Sequence, residues 1–451
     1  MAKYQDLHLA SLVVVAVLFG GGGVGYSLAN LVVQLLALGL LAANFAAVRS
    51  FAEGSPRLLA GLVAVSLLIP LFQLVPLPPQ IWTGLPGRAM VNEALASTGG
   101  VGWYPLSVNS ARTLVSLIGL FAPAAMILLG YSASERATKF AVTALFASAA
   151  LSLVFGFSQV LRNSPGTELY NETPLPGILV GFFANRNSTA VFLVCCLTLL
   201  CGQPASRMLS PAWLAKLIGG VLMVTGVVLT QSRTGVVLLA IPILLGLCRL
   251  AASMLSRNGT AAGQWSGRRR AIFGGTAVAA LLVFVVTVGT TMMSGNSRLA
   301  DLASRFDKSE DARSEIWEDA KFSAQRYWPV GAGMGTFDEV FQLDESLENL
   351  SVRRAGRAHN DYLEIAIEGG FAAIALLLGW LFWIAAATWR AVPTQRRWQA
   401  LSATGMLTAV ALQSLFDYPL RNQTMLVTTA LAVVLLARAA RTDAAKAEQQ
   451  P

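Results

Sequence analysis

Long apolar runs are the feature that most constrains the fold of this chain. Stretches rich in Leu, Val, Ala and Phe recur along most of the sequence, and roughly 20 such residues are what an α-helix needs to cross a bilayer. Only 13% of the 451 residues are charged, whereas a soluble globular domain carries about 25%. The sequence therefore predicts an all-α polytopic membrane protein with lipid as its main solvent.

The apolar runs predict about 12 transmembrane helices, whose middles are almost without formal charge because a charge in hydrocarbon is costly. They lie near residues 8–25, 27–48, 58–76, 112–131, 139–161, 187–202, 214–230, 233–249, 271–293, 361–388, 399–416 and 423–440. An even number of spans places both termini on the same side of the membrane.

Loop charges predict the orientation. With the termini inside, the inner segments hold 18 of the 33 basic residues but only five of the 24 acidic residues, and the triplet Arg268–Arg270 is the strongest single indication. Cytoplasmic loops collect Lys and Arg, so both termini are predicted to be cytoplasmic. The net charge of +9 has the same cause, and no nucleic-acid partner is predicted.

The predicted spans divide the chain into five parts, of which the third is a large, partly helical loop on the outer side with expected short helices at 298–306 and 312–327. The parts are N-terminal transmembrane helices at 1–161, central transmembrane helices with motif turns at 162–293, the outer loop at 294–360, C-terminal transmembrane helices at 361–440 and a disordered cytoplasmic tail at 441–451.

The most informative motif joins the outer loop to a span at residues 357–370 and contains His359, one of only two histidines. His359 and Asn360 precede a predicted helix on which Asp361 and Glu364 share a face. A histidine of this kind is more often structural, but imidazole can act as a general base near neutral pH. We therefore predict His359 as a candidate catalytic base.

The orientation predicted from loop charges, which does not depend on these motifs, places four further polar motifs on the outer face. They are Phe183–Asn187 with Arg186, Gln231–Gly235 with Arg233, Asp311–Trp317 with Arg313, and Phe416–Arg421 with Asp417. Arginine binds diphosphate through a rigid, permanently charged donor fork, so the group suits an anionic substrate. Two simpler interpretations remain: Arg233 as a snorkelling anchor, and Asp417 paired with Arg421.

A glycine-rich run at 331–335 invites comparison with a phosphate-binding loop. It lacks the Gly-Lys-Ser/Thr ending of a nucleotide P-loop, and glycine usually marks a special backbone geometry. We predict a structural turn there. The sequence shows no convincing metal cluster, so no metal and no cofactor are predicted.

These motifs resemble the O-antigen ligase and polymerase superfamily over roughly residues 180–425. That family has about twelve spans, a large periplasmic loop late in the chain and three short motifs. The counterparts here are Ser232-Arg233-Thr234-Gly235, Arg313 with Trp317, and His359-Asn360 followed by Gly369-Gly370.

The resemblance implies metal-independent, inverting transfer of a glycan from undecaprenyl diphosphate to an acceptor hydroxyl at the periplasmic face of a bacterial inner membrane. His359 would be the general base. The diphosphate would be bound by Arg233 and Arg313, with Arg186 and Arg357 in secondary roles. The orienting residues would be Asn360, Asp361, Glu364, Asp417 and Arg421.

Several functions share this chemistry. The acceptor could be lipid A–core in a ligase, a further repeat unit in an O-antigen or exopolysaccharide polymerase, or a Ser or Thr hydroxyl in a protein O-oligosaccharyltransferase. A transporter or flippase is the alternative from another class. Transporters often place ionisable groups near the bilayer midplane, whereas the predicted groups here lie at the outer rim.

Overall fold

The computed structural model describes residues 6–23, 25–162, 169–170, 177–204, 206–207, 209–255, 310–349 and 355–441. Within these ranges the chain forms 18 α-helices, one short 3-10 helix and one two-residue antiparallel β-pair. In the N-terminal half the helices are α1 His8–Phe19, α2 Ser27–Ala43, α3 Phe45–Gly54, α4 Arg57–Gln73, α5 Pro79–Trp82, α6 Ala89–Ser97, α7 Ser110–Gly119, α8 Phe121–Ser132 and α9 Glu135–Arg162; β1 is Pro76–Leu77 and β2 is Tyr104–Pro105.

The C-terminal half carries the predicted motifs, and the 3-10 helix Pro419–Arg421 lies between its last two helices. The α-helices are α10 Arg186–Gly202, α11 Pro211–Leu229, α12 Arg233–Leu238, α13 Ala240–Leu255, α14 Glu310–Tyr327, α15 Phe337–Phe341, α16 Asp361–Ala391, α17 Arg397–Gln413 and α18 Gln423–Arg441.

Helices occupy eleven of the twelve predicted span positions, and the remaining one, 271–293, lies outside the described residues. The all-α prediction is confirmed. Six helical segments among the described residues are long and apolar enough to cross a membrane: Ser110–Ser132, Glu135–Arg162, Pro211–Leu229, Arg233–Ser253, Asp361–Ala391 and Gln423–Arg441. The predicted number of twelve crossings is not confirmed.

The predicted span 27–48 is not one straight helix. The chain bends by 77° between α2 and α3, at Asn44, whose φ of −123° and ψ of 38° are not helical. The Asn44 side-chain amide donates to the Leu40 carbonyl at 2.8 Å and lies 3.0 Å from Nδ1 of His8. A polar side chain therefore forms hydrogen bonds at the point where the helix breaks. Counting the bent pair as one span gives up to seven candidates.

Helix α18 lies at the centre of the bundle. Within its apolar window 72% of the residues are buried, against 22% in the windows of α11 and α16. Small residues permit close approach of neighbouring helices: a Cβ at Gly130 of α8 would lie 2.8 Å from a methyl group of Val434 in α18. Helices α11 and α16 lie at the periphery, and they present most of their apolar surface outward, as lipid-facing spans do.

The outer loop packs on a break in α16. Gly370 has φ 56° and ψ −146° inside that helix, and the run 331–335 hydrogen-bonds to the backbone beside it: Ala332 N–H donates to Ile367 at 2.9 Å and Gly333 N–H to Glu368 at 2.9 Å. The prediction of a structural turn at 331–335 is confirmed. The break separates the acidic first turns of α16 from its apolar remainder.

The predicted loop helix at 312–327 is confirmed as α14, and its predicted neighbour at 298–306 lies outside the described residues. A small apolar cluster joins α14, α15 and the first turns of α16. Its members include Ala320, Tyr327, Phe337, Phe341 and Ile367. This cluster fixes α14, and with it Arg313, against the segment that carries His359.

Candidate functional site

The backbone around His359 is held in an uncommon conformation. His359 has φ of +50°, a left-handed geometry that costs a non-glycine residue free energy unless its surroundings fix it. Ala358 N–H donates to Oε1 of Glu364 at 2.9 Å, and Trp317 Nε1 donates to the Ala358 carbonyl at 2.7 Å. Asn360 then caps α16, because its Oδ1 accepts the first free backbone N–H groups at 3.0 and 3.1 Å.

The His359 ring contacts a buried carboxylate. Its Nδ1 lies 3.2 Å from Oδ1 of Asp417, whose side chain is only 2% exposed, while the histidine side chain is 34% exposed. The ring of Tyr418 packs against the imidazole with centroids 5.0 Å apart. Since Nδ1 is engaged by Asp417, Nε2 is the nitrogen that can exchange a proton with a substrate.

Asp417 is surrounded by donors and positive charge. Asn185 Nδ2 donates to its Oδ2 at 3.0 Å. Burial raises the pKa of Asp417, but the hydrogen bond and charge of His359, a hydrogen bond from Asn187 and the charge of Arg313 together hold it below its ordinary value. Asp417 is therefore a carboxylate at neutral pH, and Arg313 lies close enough to act on it electrostatically.

A second charged cluster lies behind the histidine. Arg421 contacts Oδ1 of Asp361 at 3.4 Å, Oε2 of Glu364 at 3.0 Å and Oε2 of Glu368 at 3.0 Å. Burial lowers the pKa of Arg421, but these three carboxylates raise it above its ordinary value overall. Arg357 contributes a second guanidinium, 3.2 Å from Glu364. We call these five residues the acid cluster.

The structure corrects two expectations about partners. Asp417 and Arg421 do not pair, because the 3-10 turn Pro419–Arg421 interrupts the helical geometry that would bring residues four apart together. Within the described part of the chain, the carboxylate in contact with His359 is Asp417; Asp361 and Glu364 instead bind Arg421. Glu364 acts on the histidine segment through the Ala358 amide and the Arg357 guanidinium.

Arg233 and Arg186 begin two neighbouring helices. Ser232 caps α12 by accepting the Gly235 N–H at 3.2 Å, and a Cβ at Gly235 would lie 2.4 Å from Cβ of Ala190 in α10. This close approach sets α12 beside the start of α10, where Arg186 is the first residue. The same end of α10 carries the two asparagines that bind Asp417, so both helices begin near the candidate site.

Four contributors escaped the sequence analysis as functional candidates. Glu368 shares the helix face of Asp361 and Glu364, and this spacing was visible in the sequence. Asn185 and Asn187 flank the arginine of a motif that was identified for its charge alone. Tyr418 follows Asp417 directly. Uncharged amides and a neighbouring ring carry no spacing signal, and their importance emerges only from the distances.

The fold and the site define a helical, membrane-type protein with a histidine–carboxylate pair and arginines gathered where its outer loop meets the bundle. A family model described as O-antigen ligase matches residues 218–378. The predicted resemblance to the O-antigen ligase and polymerase superfamily is therefore confirmed. The matched stretch contains Arg233, Arg313 and His359, whereas Asn185 and Asp417 lie outside it. No curated protein sequence matches the chain.

Proposed function

We propose that this chain is a membrane glycosyltransferase of the O-antigen ligase type, which moves a glycan from undecaprenyl diphosphate to an acceptor hydroxyl. The observation that carries the proposal is the 3.2 Å contact between His359 and the buried Asp417, with Arg313 acting on the same carboxylate. A histidine oriented by a carboxylate is a suitable general base, and a nearby guanidinium suits a diphosphate.

The proposed reaction is a single displacement. Nε2 of His359 accepts the proton of the acceptor hydroxyl while its oxygen attacks the anomeric carbon. The bond between that carbon and the carrier phosphate oxygen breaks, and its electron pair leaves on the lipid diphosphate. The configuration at the anomeric carbon inverts, and the Asp417 carboxylate stabilises the imidazolium that forms.

The roles of the arginines follow from their surroundings. Arg357 and Arg421 lie against the carboxylates of the acid cluster, so their charge is already compensated and they are weak candidates for binding diphosphate. We assign that role to Arg313 and Arg233, the arginines of the motifs that resemble the O-antigen ligase and polymerase superfamily, with Arg186 in support. Positive charge placed where negative charge develops on a leaving group lowers the barrier to its departure.

The proposed location is the periplasmic side of a bacterial inner membrane, with both termini cytoplasmic. The excess of basic residues in the inner segments supports this orientation. The same chemistry would serve a polymerase of repeat units or a protein O-oligosaccharyltransferase. The site lies at the helix ends, next to the outer loop, which favours a transferase over a transporter or flippase.

The test uses full-length protein in lipid nanodiscs with an undecaprenyl diphosphate-linked glycan, offered lipid A–core or free repeat units in parallel. Loss of the general base in His359→Ala should reduce transfer by about 10²- to 10⁴-fold. His8→Ala is the matched control, because His8 is the only other histidine and contacts Asn44 instead. Wild-type turnover by the His359 variant would refute the assignment, and the acceptor that becomes glycosylated distinguishes ligase from polymerase.

A further inference from the structure

The side chain of Asn185 forms two different hydrogen bonds at the start of α10. Its Oδ1 accepts the backbone N–H of Asn187 at 2.8 Å, which caps the helix. Its Nδ2 donates to Oδ2 of Asp417 at 3.0 Å. Because both ends of one planar amide are bonded, the orientation of the Asn185 side chain is fixed relative to the helix and to the carboxylate.

We infer that Asn185 is a positioning residue, which orients Asp417 and through it the imidazole of His359; this inference rests on the proposed function. Rotation about the bond between Cβ and the carboxyl carbon of an aspartate is soft. In Asp417 one oxygen contacts His359 and the other accepts from Asn185. The amide therefore fixes the plane of the carboxylate together with the hydrogen bond from Asn187, and that plane sets the direction in which Oδ1 meets the ring.

Capping alone does not explain an asparagine at this position. Asn, Asp and Ser cap helices about equally well, and in this chain serines cap α11 and α12. Of these three side chains, only asparagine can accept a backbone N–H with one atom and donate to an ionised carboxylate with another. The contact with Asp417 is the part of the arrangement that depends on the amide.

Two substitutions separate the capping role from the positioning role. Asn185→Ser keeps a cap but removes the donor to Asp417. Asn185→Asp also keeps a cap but sets a second carboxylate against Asp417, which repels it at neutral pH and takes up a proton as the pH falls. His359, Asn187 and Arg313 also face Asp417, and their interactions remain in both variants.

A matched control is present in the same chain. Asn109 caps α7 by accepting the Arg112 N–H at 3.2 Å, and its Nδ2 donates to Oε1 of Glu339 at 3.3 Å. It thus combines a helix cap with a carboxylate contact, as Asn185 does, but its carboxylate is bonded to Arg112 rather than to histidine. Asn109→Ser and Asn109→Asp therefore report the effect of losing an asparagine–carboxylate hydrogen bond at a helix cap that does not involve His359.

The first measurement does not depend on activity. Full-length protein with isotope-labelled histidine gives signals from only two side chains, His8 and His359, and a His8 variant assigns them. At one fixed pH, Asn185→Ser should move the His359 signal in the direction produced by Asp417→Asn, and Asn185→Asp should also displace it from its wild-type position. Both Asn109 variants should leave it in place.

The second measurement is the transfer rate in nanodiscs with the undecaprenyl diphosphate-linked glycan. Loss of one hydrogen bond to a charged group predicts about a tenfold lower rate for Asn185→Ser at neutral pH. The Asp variant should be slower still, but its rate relative to wild type should recover as the pH falls. A protonated Asp at 185 can donate to Asp417 as the amide did.

The outcomes separate the two proposals. An unmoved His359 signal in both Asn185 variants would overturn the positioning role, as would equal losses of rate in the Asn185 and Asn109 variants. An active His359→Ala enzyme would overturn the proposed function, while the histidine spectra would still decide whether Asn185 orients the ring. Movement of the signal together with a pH-dependent recovery in Asn185→Asp would support the inference.

Discussion

Removal of the Arg421 guanidinium tests the acid cluster most directly. Arg421→Met keeps much of the side-chain volume but deletes the charge that contacts Asp361, Glu364 and Glu368. The side chains of these carboxylates are no more than 2% exposed, so water cannot replace the lost partner. Arg357 remains, and of the three carboxylates it contacts Glu364.

The loss in free energy of unfolding that we expect for Arg421→Met follows from the number of buried carboxylates left without this partner. Breaking one buried ion pair by removing a partner costs about 3–5 kcal/mol, and here one guanidinium serves three anions. We expect about 5 kcal/mol, which is comparable with the whole stability of many domains. Arg421→Lys keeps the charge but loses the planar guanidinium that reaches several oxygens. It should therefore lose about half as much stability as Arg421→Met.

The assay is thermal unfolding of the purified full-length protein in detergent, where the methionine variant should unfold roughly 5–10 °C below wild type. Glu368→Gln should partly rescue it, because the double variant has one buried charge fewer. Arg49→Met is the control, since the Arg49–Glu53 pair is largely exposed and should contribute about 0.5 kcal/mol or less. Wild-type stability of Arg421→Met, or no rescue by the second substitution, would refute the reasoning.

Three further predictions address the site and its support. The pKa of Asp417 is lowered, so its carboxylate stays ionised down to a pH below the ordinary pKa of aspartate. Wild-type transfer should therefore show no loss from protonation of Asp417 between about pH 5 and 8. Asp417→Asn should be about 10²-fold slower at every pH in that range. Arg233→Lys should transfer roughly tenfold more slowly because bidentate geometry is lost, and equal rates would reduce Arg233 to an anchor. Gly370→Ala should cost about 3 kcal/mol or more in thermal unfolding, since its Cβ would lie 2.1 Å from the Pro329 carbonyl oxygen at a φ of +56°; an unchanged melting temperature would contradict this.

The helices were predictable because lipid makes the apolar pattern dominant. A run of about 20 uncharged residues has few alternatives to a helix, and eleven predicted positions are helical for that reason. The bend at Asn44 escaped prediction because its stabilising contact with His8 comes from a different helix. Local sequence indicates where a helix can form, but contacts between helices decide where it breaks.

The candidate site was predictable to the level of residue types but not of partners. The spacing of Asp361, Glu364 and Glu368 places three acids on one helix face, and such a face needs a counter-charge if it is buried. The sequence could not show that Arg421 supplies it, because more than 50 residues separate the two segments and the pairing depends on how the start of α16 packs against the 3-10 turn Pro419–Arg421. For the same reason, the sequence grouped Asp417 with four other orienting residues but did not single it out as the partner of His359.

The two charged groups have complementary physical roles. The acid cluster combines three carboxylates with two guanidiniums and fixes the start of α16, including the strained backbone at His359. It lies on the α16 side of the histidine, and an anion would be repelled there by the excess carboxylate. The other elements around the site carry the remaining arginines: α14 carries Arg313, α10 carries Arg186 and α12 carries Arg233. In the proposed reaction, the lipid diphosphate should therefore approach from the side of those helices rather than from the acid cluster.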